Sequence, residues 1–293
     1  MTPARFFRLI RITIVVTLSL LLILPLALGF FFMLGVTHMP CSGGLHPAHL
    51  PAAEAITFPA TTLGRDVRGY YLPGTNGVTL IIPPTGGSGA GYWRREYTLL
   101  HEHGYGLLNY ESRRCMGLSI TLGYSEADEV GDALAYLQAR GDVDMTRVGV
   151  YGFSTSGATS IFAGARFPQL AAVIASGGYH DFAAHNDAQV RGQWFAPLYR
   201  LGADVGYRLA TGLDMRVLSP ISVIDQIAPR PLLLVYGTRE PALAGARLQA
   251  AAAGDSATLW EVPGAGHGDY YAHAPEAYTQ RVVGFLDAAF GVH

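Results

Sequence analysis

The stretch that decides the fold is Val148-Gly149-Val150-Tyr151-Gly152-Phe153-Ser154-Thr155-Ser156-Gly157. Residues 148–151 read as a short buried strand, and the pattern over 156–167 reads as the helix after it. Ser154 sits at the apex of the turn between them. Such a turn lifts a nucleophile above the edge of a sheet, and its crowded backbone demands small residues on either side. Gly152 meets that demand. Ser156 stands where a second glycine is usual, with Gly157 next. The competing reading is an ordinary strand-to-helix turn whose serine caps the helix.

Working outward, short apolar β-rich runs alternate with longer amphipathic ones. Candidate strands are 55–58, 67–72, 78–82, 106–110, 148–151, 171–175, 231–236 and 258–262. Candidate helices are 93–103, 125–140, 156–167, 242–253 and 275–290. Regular alternation means a mainly parallel sheet covered on both faces. Such a sheet carries its chemistry in the loops at the C-terminal ends of its strands.

A serine hydroxyl is a poor nucleophile without a base. His267 lies just after the last predicted strand, in Gly264-Ala265-Gly266-His267-Gly268-Asp269. His101 and His103 sit on a helix at the wrong end of the sheet, and His273 and His293 read as surface residues. The orienting acid belongs on a loop between nucleophile and histidine. Glu240, in Gly237-Thr238-Arg239-Glu240-Pro241, follows the strand 231–236 and would hold the imidazole tautomer. An exposed glutamate opening the next helix is the plainer reading of it. Asp181 and Asp269 are rival acids. An oxyanion needs backbone N–H donors. Thr155 would supply one, and Gly86 or Gly87 in the loop Pro83-Pro84-Thr85-Gly86-Gly87-Ser88-Gly89-Ala90-Gly91 the other. A phosphate-cradling reading of that loop lacks the lysine that such loops carry, since all 20 basic residues are arginine.

Together, the turn around Ser154, the acid loop and the histidine loop resemble the α/β-hydrolase superfamily, in the chain order Ser, acid, His. The resemblance covers roughly residues 54–293. Asn109-Tyr110-Glu111-Ser112-Arg113 and Thr121-Leu122-Gly123-Tyr124-Ser125-Glu126-Ala127-Asp128 add to it. Similar features occur in dienelactone-hydrolase-like, prolyl-oligopeptidase-like and serine-aminopeptidase-like proteins. The resemblance implies an α/β fold with an eight-stranded, mostly parallel sheet and an acyl-enzyme mechanism. Ser156 in place of glycine and glutamate in place of the commoner aspartate depart from the pattern. An insertion at about 178–220 holds Tyr179, Phe182, Trp194, Phe195, Tyr199 and Tyr207; in such folds it often caps the site, and its aromatics also serve to pack it down.

The N-terminus carries a mostly apolar, uncharged run at 12–37, with Arg5, Arg8 and Arg11 before it and no acidic residue before Glu54. It is long enough to span a bilayer. The arginines place the N-terminus in the cytoplasm and the rest outside. Pro25 predicts a kink. A cleaved signal peptide would have a shorter apolar region and a small-residue cleavage site. Residues 38–53 read as a linker. His38, Cys41, His46 and His49 there match no zinc spacing. An extracytoplasmic location would permit a Cys41–Cys115 disulfide.

The 293 residues are 50% hydrophobic and 14% charged, with net charge −2, which excludes a disordered chain and gives no positive field for nucleic acid. Residues 54–293 hold 17 arginines against 22 acidic residues, net −5. The expectation is a membrane-anchored serine hydrolase with Ser154, His267 and Glu240 as its triad. It needs no cofactor or metal and acts on a small-molecule or lipid-like acyl substrate, an ester or thioester before a peptide. The rivals are a tethered, non-catalytic binding protein of the same fold, and an acyltransferase or peptidase.

Overall fold

The computed structural model describes residues 3–44 and 52–292. In chain order its elements are α1 (Pro3–Thr37), β1 (Glu54–Ala60), β2 (Arg65–Leu72), β3 (Thr79–Ile82), α2 (Arg95–Glu102), β4 (Gly106–Tyr110) and α3 (Glu126–Arg140). Then follow β5 (Val148–Phe153), α4 (Thr155–Arg166), β6 (Ala172–Ser176), α5 (Phe182–Gln189), α6 (Ala196–Thr211), β7 (Leu232–Gly237), α7 (Leu243–Ala253), β8 (Ala257–Val262), α8 (Tyr270–His273) and α9 (Pro275–Phe290). They form two compact units: Met1–Thr37 with Ala183–Val217, and His38–Phe182 with Leu218–His293.

The larger unit is built on one eight-stranded sheet of order β1-β2-β4-β3-β5-β6-β7-β8. β1 pairs β2 and β2 pairs β4 antiparallel; every other pairing is parallel. Strands β3 to β7 are buried along their whole length, as expected where helices cover both faces. Successive residues of β5 point to opposite faces. Tyr151 and Phe153 join a core with Tyr97 and Leu100 of α2 and Tyr278, Val282 and Leu286 of α9. Gly152 faces α4 instead. The sheet is mixed because β2 runs antiparallel to both of its neighbours, β1 and β4. The sequence reading ended the first strand at 58, before Pro59. The strand runs on to Ala60 because β1 is an edge, where a proline's missing N–H costs no ladder bond. Its side chains alternate out and in, with Ile56, Phe58 and Ala60 buried.

Residues 38–44, read from sequence as part of a linker, form a strap along the loop after β3. Ser42 N donates to Gly87 O (2.9 Å), Gly89 N to Ser42 O (2.7 Å) and Arg114 Nε to Met39 O (2.9 Å). Cys41 and Cys115 are joined by a disulfide. His38 Nε2 lies 3.0 Å from Ser119 Oγ, and His46 and His49 fall outside the described residues, as does His293. The strap removes Cys41 from any metal cluster.

Below β4, Arg113 is buried between Glu126 and Glu129. Burial pushes the Glu129 carboxyl up to about 8 against the opposing pull of Arg113. The folded state therefore keeps a proton that the unfolded chain releases above 4.5. This carboxyl's contribution is full below 4.5 and is lost as pH rises through about 8. Glu129→Gln removes that titration. Its melting temperature is expected to gain on the wild type by several degrees between pH 5 and pH 8. A constant difference across that range would show Glu129 ionised throughout.

Candidate active site

Ser154 closes β5 and opens α4 at φ 60°, ψ −123°, a conformation L-residues rarely adopt. Strain of this kind costs about 1–3 kcal/mol and persists only where the surroundings hold it. Ser154 N donates to Ser176 O (2.8 Å) and Gly157 N to Ser154 O (2.9 Å). At Gly152 a Cβ would lie 1.9 Å from Ser156 O, so no larger residue fits there. Ser156, the departure from the expected glycine, has a use of its own. Its hydroxyl accepts from Phe153 N (2.9 Å) and donates to Phe153 O (2.7 Å), tying the end of the strand to the start of the helix.

The structure brings together the three residues singled out from sequence. His267 Nε2 lies 3.1 Å from Ser154 Oγ, and His267 Nδ1 lies 2.8 Å from Glu240 Oε2. Each residue follows the C-terminal end of a parallel strand: Ser154 after β5, Glu240 after β7, His267 after β8. The second oxygen of Glu240 accepts from Gly237 N (2.7 Å) and from the Tyr270 hydroxyl (2.5 Å). Burial, then the Glu240 contact, raises the Tyr270 pKa, so the phenol remains a donor. The Glu240 side chain is 2% exposed and that of His267 49%. The acid is sealed while the base is open. Asp269 serves the loop, accepting from Gly266 N (2.6 Å) and lying 3.2 Å from His273 Nδ1. Asp181 follows β6, just before α5.

The imidazole packs on Phe153, ring centroids 4.8 Å apart. The Arg94 guanidinium stands 3.9 Å from the centre of the same phenyl ring. Arg94 Nη2 donates to Gly268 O and to Glu96 Oε1, both at 2.7 Å. Neither Arg94 nor Tyr270 was found from sequence. Arg94 fell inside the predicted helix 93–103, but α2 begins at Arg95. Nothing local distinguishes Tyr270 from Tyr271.

For the oxyanion donors, Thr155 is the first residue of α4, so its N–H has no intrahelical acceptor. Gly86 takes φ 51°, donates its N–H to Thr155 Oγ1 (2.9 Å), and its carbonyl accepts from Ser112 Oγ (2.6 Å). Gly87 is bound through its carbonyl to the strap. The segment 121–128 buttresses the turn. Glu126 accepts from Thr121 N, Thr121 Oγ1 and Gly123 N, and a Cβ on Gly123 would lie 3.0 Å from Thr155 O.

This sheet order, with a strained serine after β5 and its partners after β7 and β8, is the α/β-hydrolase fold. Solved structures of that fold superpose closely. An esterase of Pyrococcus furiosus matches with TM-score 0.68 and 17% identity, over 87% of this chain and 98% of that one. The α/β hydrolase GrgF of Penicillium sp. sh18 matches with TM-score 0.64 and 18% identity, over 82% and 99%. A puromycin-hydrolyzing peptidase of Mycobacterium tuberculosis matches with TM-score 0.65 and 20% identity, over 82% of this chain and 40% of that one. No family model matches the sequence. An uncharacterized protein of Pseudomonas aeruginosa is 32% identical over 81 residues, 28% of this chain and 22% of that protein. The chain therefore spans well under two thirds of that relative's length.

Proposed function

We propose that the chain is a serine hydrolase that cleaves an ester, thioester or related acyl bond through an acyl-enzyme on Ser154. The observation that carries this is the continuous relay Ser154 Oγ, His267, Glu240, with both links at hydrogen-bond length. Ser154 attacks the acyl carbonyl as His267 Nε2 takes its proton. Glu240 fixes the imidazole with Nδ1 protonated and stabilises the imidazolium. The tetrahedral oxyanion is held by Thr155 N–H and a second loop amide. The second amide is that of Gly86 or Gly87; Gly86 N–H would first have to leave Thr155 Oγ1, to which it donates at 2.9 Å. The leaving group departs with the proton from His267. Water, deprotonated by the same base, then frees the acid and restores Ser154. The esterases and peptidases among the similar structures support an acyl-hydrolase reading.

The same proposal makes α1 a retained membrane anchor with the hydrolase unit outside. α1 is long and apolar enough to cross a bilayer, with mean hydropathy 2.7 in its most apolar window. Arg5, Arg8 and Arg11 precede its apolar run. The Cys41–Cys115 disulfide suits an oxidising compartment.

A fluorophosphonate probe tests the chemistry directly. The full chain is expected to label at Ser154 and the Ser154→Ala variant not at all. Equal labelling of both would remove Ser154 as nucleophile. Failure of either to label would favour a non-catalytic binding protein.

A further inference from the structure

The smaller unit pairs α1 with α6, and their backbones touch. A Cβ on Gly202 would lie 1.9 Å from Leu26 O, one on Gly206 2.6 Å from Phe30 O, and one on Gly29 2.0 Å from Tyr199 O. The two helices run in the same direction, 26 beside 202 and 30 beside 206. Small residues four apart that admit a second backbone are how helices pack within or beside lipid, where burial of apolar surface gives no drive.

The exposure of α1 changes abruptly along this contact. Residues 3–24 are exposed on every side, whereas Pro25, Gly29, Met33 and Thr37 form a buried stripe. The uncovered stretch rises about 33 Å at ~1.5 Å per residue. Its charge-free part, residues 12–24, rises about 20 Å, and arginine side chains reaching down the helix from Arg8 and Arg11 extend this toward the ~30 Å hydrocarbon thickness. At its upper end stands Trp194, the residue before Phe195 and α6. It is 64% exposed. With Thr17, Leu20, Leu21, Leu24 and Pro25 it lines a groove of about 240 Å³. Phe195 is held behind it against Val190, Ala196 and Tyr199. From there α6 carries Leu201, Val205 and Leu209 exposed at four-residue spacing. Its arginines are paired, Arg200 with Asp187 and Arg208 with Asp214. That charge suits the headgroup zone and not the hydrocarbon.

We propose that the start of α6 is a second membrane contact: Trp194 and the groove beside it take outer-leaflet lipid chains and mark the membrane boundary at the level of Leu21–Pro25. Lipid is the occupant because the groove continues the uncovered apolar surface of α1. The boundary then lies about three turns before the end of the apolar run at Thr37. Arg8 and Arg11 extend along the helix to the inner headgroups, and the last turns of α1 stand beside α6 above the hydrocarbon. Tryptophan is the side chain enriched at that depth, apolar in body with one polar N–H. This rests on the reading of α1 as a retained anchor.

The test uses the full chain in lipid nanodiscs. Subtracting the emission of Trp194→Phe from that of wild type isolates Trp194. That emission is expected to lose most of its intensity to lipids brominated near the head of the acyl chain, less to lipids brominated at the chain end, and little to aqueous iodide. Strong iodide quenching without bromolipid quenching would put Trp194 in water and overturn the proposal. Protection from both quenchers would mean a second copy of the chain covers it, and would overturn it equally. Alkaline extraction of native membranes separates the two readings. Release of the chain defeats the anchor and this contact together, whereas retention with Trp194 in water defeats the contact alone.

Discussion

Replacing His267 by alanine is expected to lower kcat for a p-nitrophenyl ester by about 10⁴-fold or more, with KM changed far less. Without the imidazole, no other side chain among the described residues lies within hydrogen-bond reach of Ser154 Oγ to take its proton during attack. Glu240→Gln is expected to cost about as much as an amide in place of the triad acid elsewhere, roughly 10⁴-fold. The reason is specific to this site. One Glu240 oxygen accepts from both Gly237 N and Tyr270 Oη, which directs the other at His267 Nδ1. A glutamine meeting the first pair with its carbonyl oxygen presents N–H₂ to His267. It stabilises the wrong tautomer and leaves Nε2 protonated against Ser154. The three groups act as one unit, so Ser154→Ala combined with His267→Ala is expected to be no slower than either alone. Steady-state kinetics on the purified full chain check this. A His267→Ala variant with near wild-type turnover, or additive losses in the double variant, would break the proposed relay.

Removing the Cys41–Cys115 disulfide is expected to cause the largest loss of stability. The crosslink closes a separation of 74 residues. In the chain-entropy account that is worth about 4.5 kcal/mol, or ~10 °C or more in melting temperature for a unit of this size. A loss of turnover is expected with it, because the strap lies against the loop that carries the second of the two proposed oxyanion donors. A Cβ on Gly87 would lie 2.2 Å from Pro40 O and one on Gly89 2.1 Å from Gly44 O, so strap and loop have no room to shift independently. The Cys41→Ser, Cys115→Ser double variant should melt lower and show a reduced kcat even well below its melting temperature. Unchanged melting, or two reactive thiols in unreduced wild type, would show that the crosslink does not form.

The strands of the parallel sheet were legible because burial on both faces makes them near-continuous apolar runs. Val148–Phe153 and Leu232–Gly237 differ from their sequence readings by only one or two residues. The three residues of the proposed relay were legible for a related reason: Gly152 and Gly157 bracket the turn at Ser154, glycines flank His267, and Glu240 follows a buried strand. What sequence left unread depends on partners distant along the chain. Tyr270 acquires its purpose only when α8 brings its hydroxyl to Glu240. Arg94 is 174 residues from the Gly268 carbonyl it binds. Residues 38–44 have a linker's composition, and their backbone finds its partners in the loop after β3 and in Arg114. The helices α5 and α6 were left unread within the segment taken as an insertion, and Gly202 and Gly206 weaken a helical pattern that is explained once Leu26 and Phe30 are seen beside them.

The strap also bears on how such a chain can be recombined in evolution. The seam between the apolar helix and the α/β-hydrolase fold reads from sequence as if it fell near residue 53, where the sheet begins. By structure it falls at Thr37, since residues 38–44 belong to the hydrolase unit. An exchange of α1 at residue 37 would keep the strap with the sheet but would take from α6 the helix against which Gly202 and Gly206 pack. One at residue 53 would leave Cys115 without its mate and the glycine loop without its neighbour.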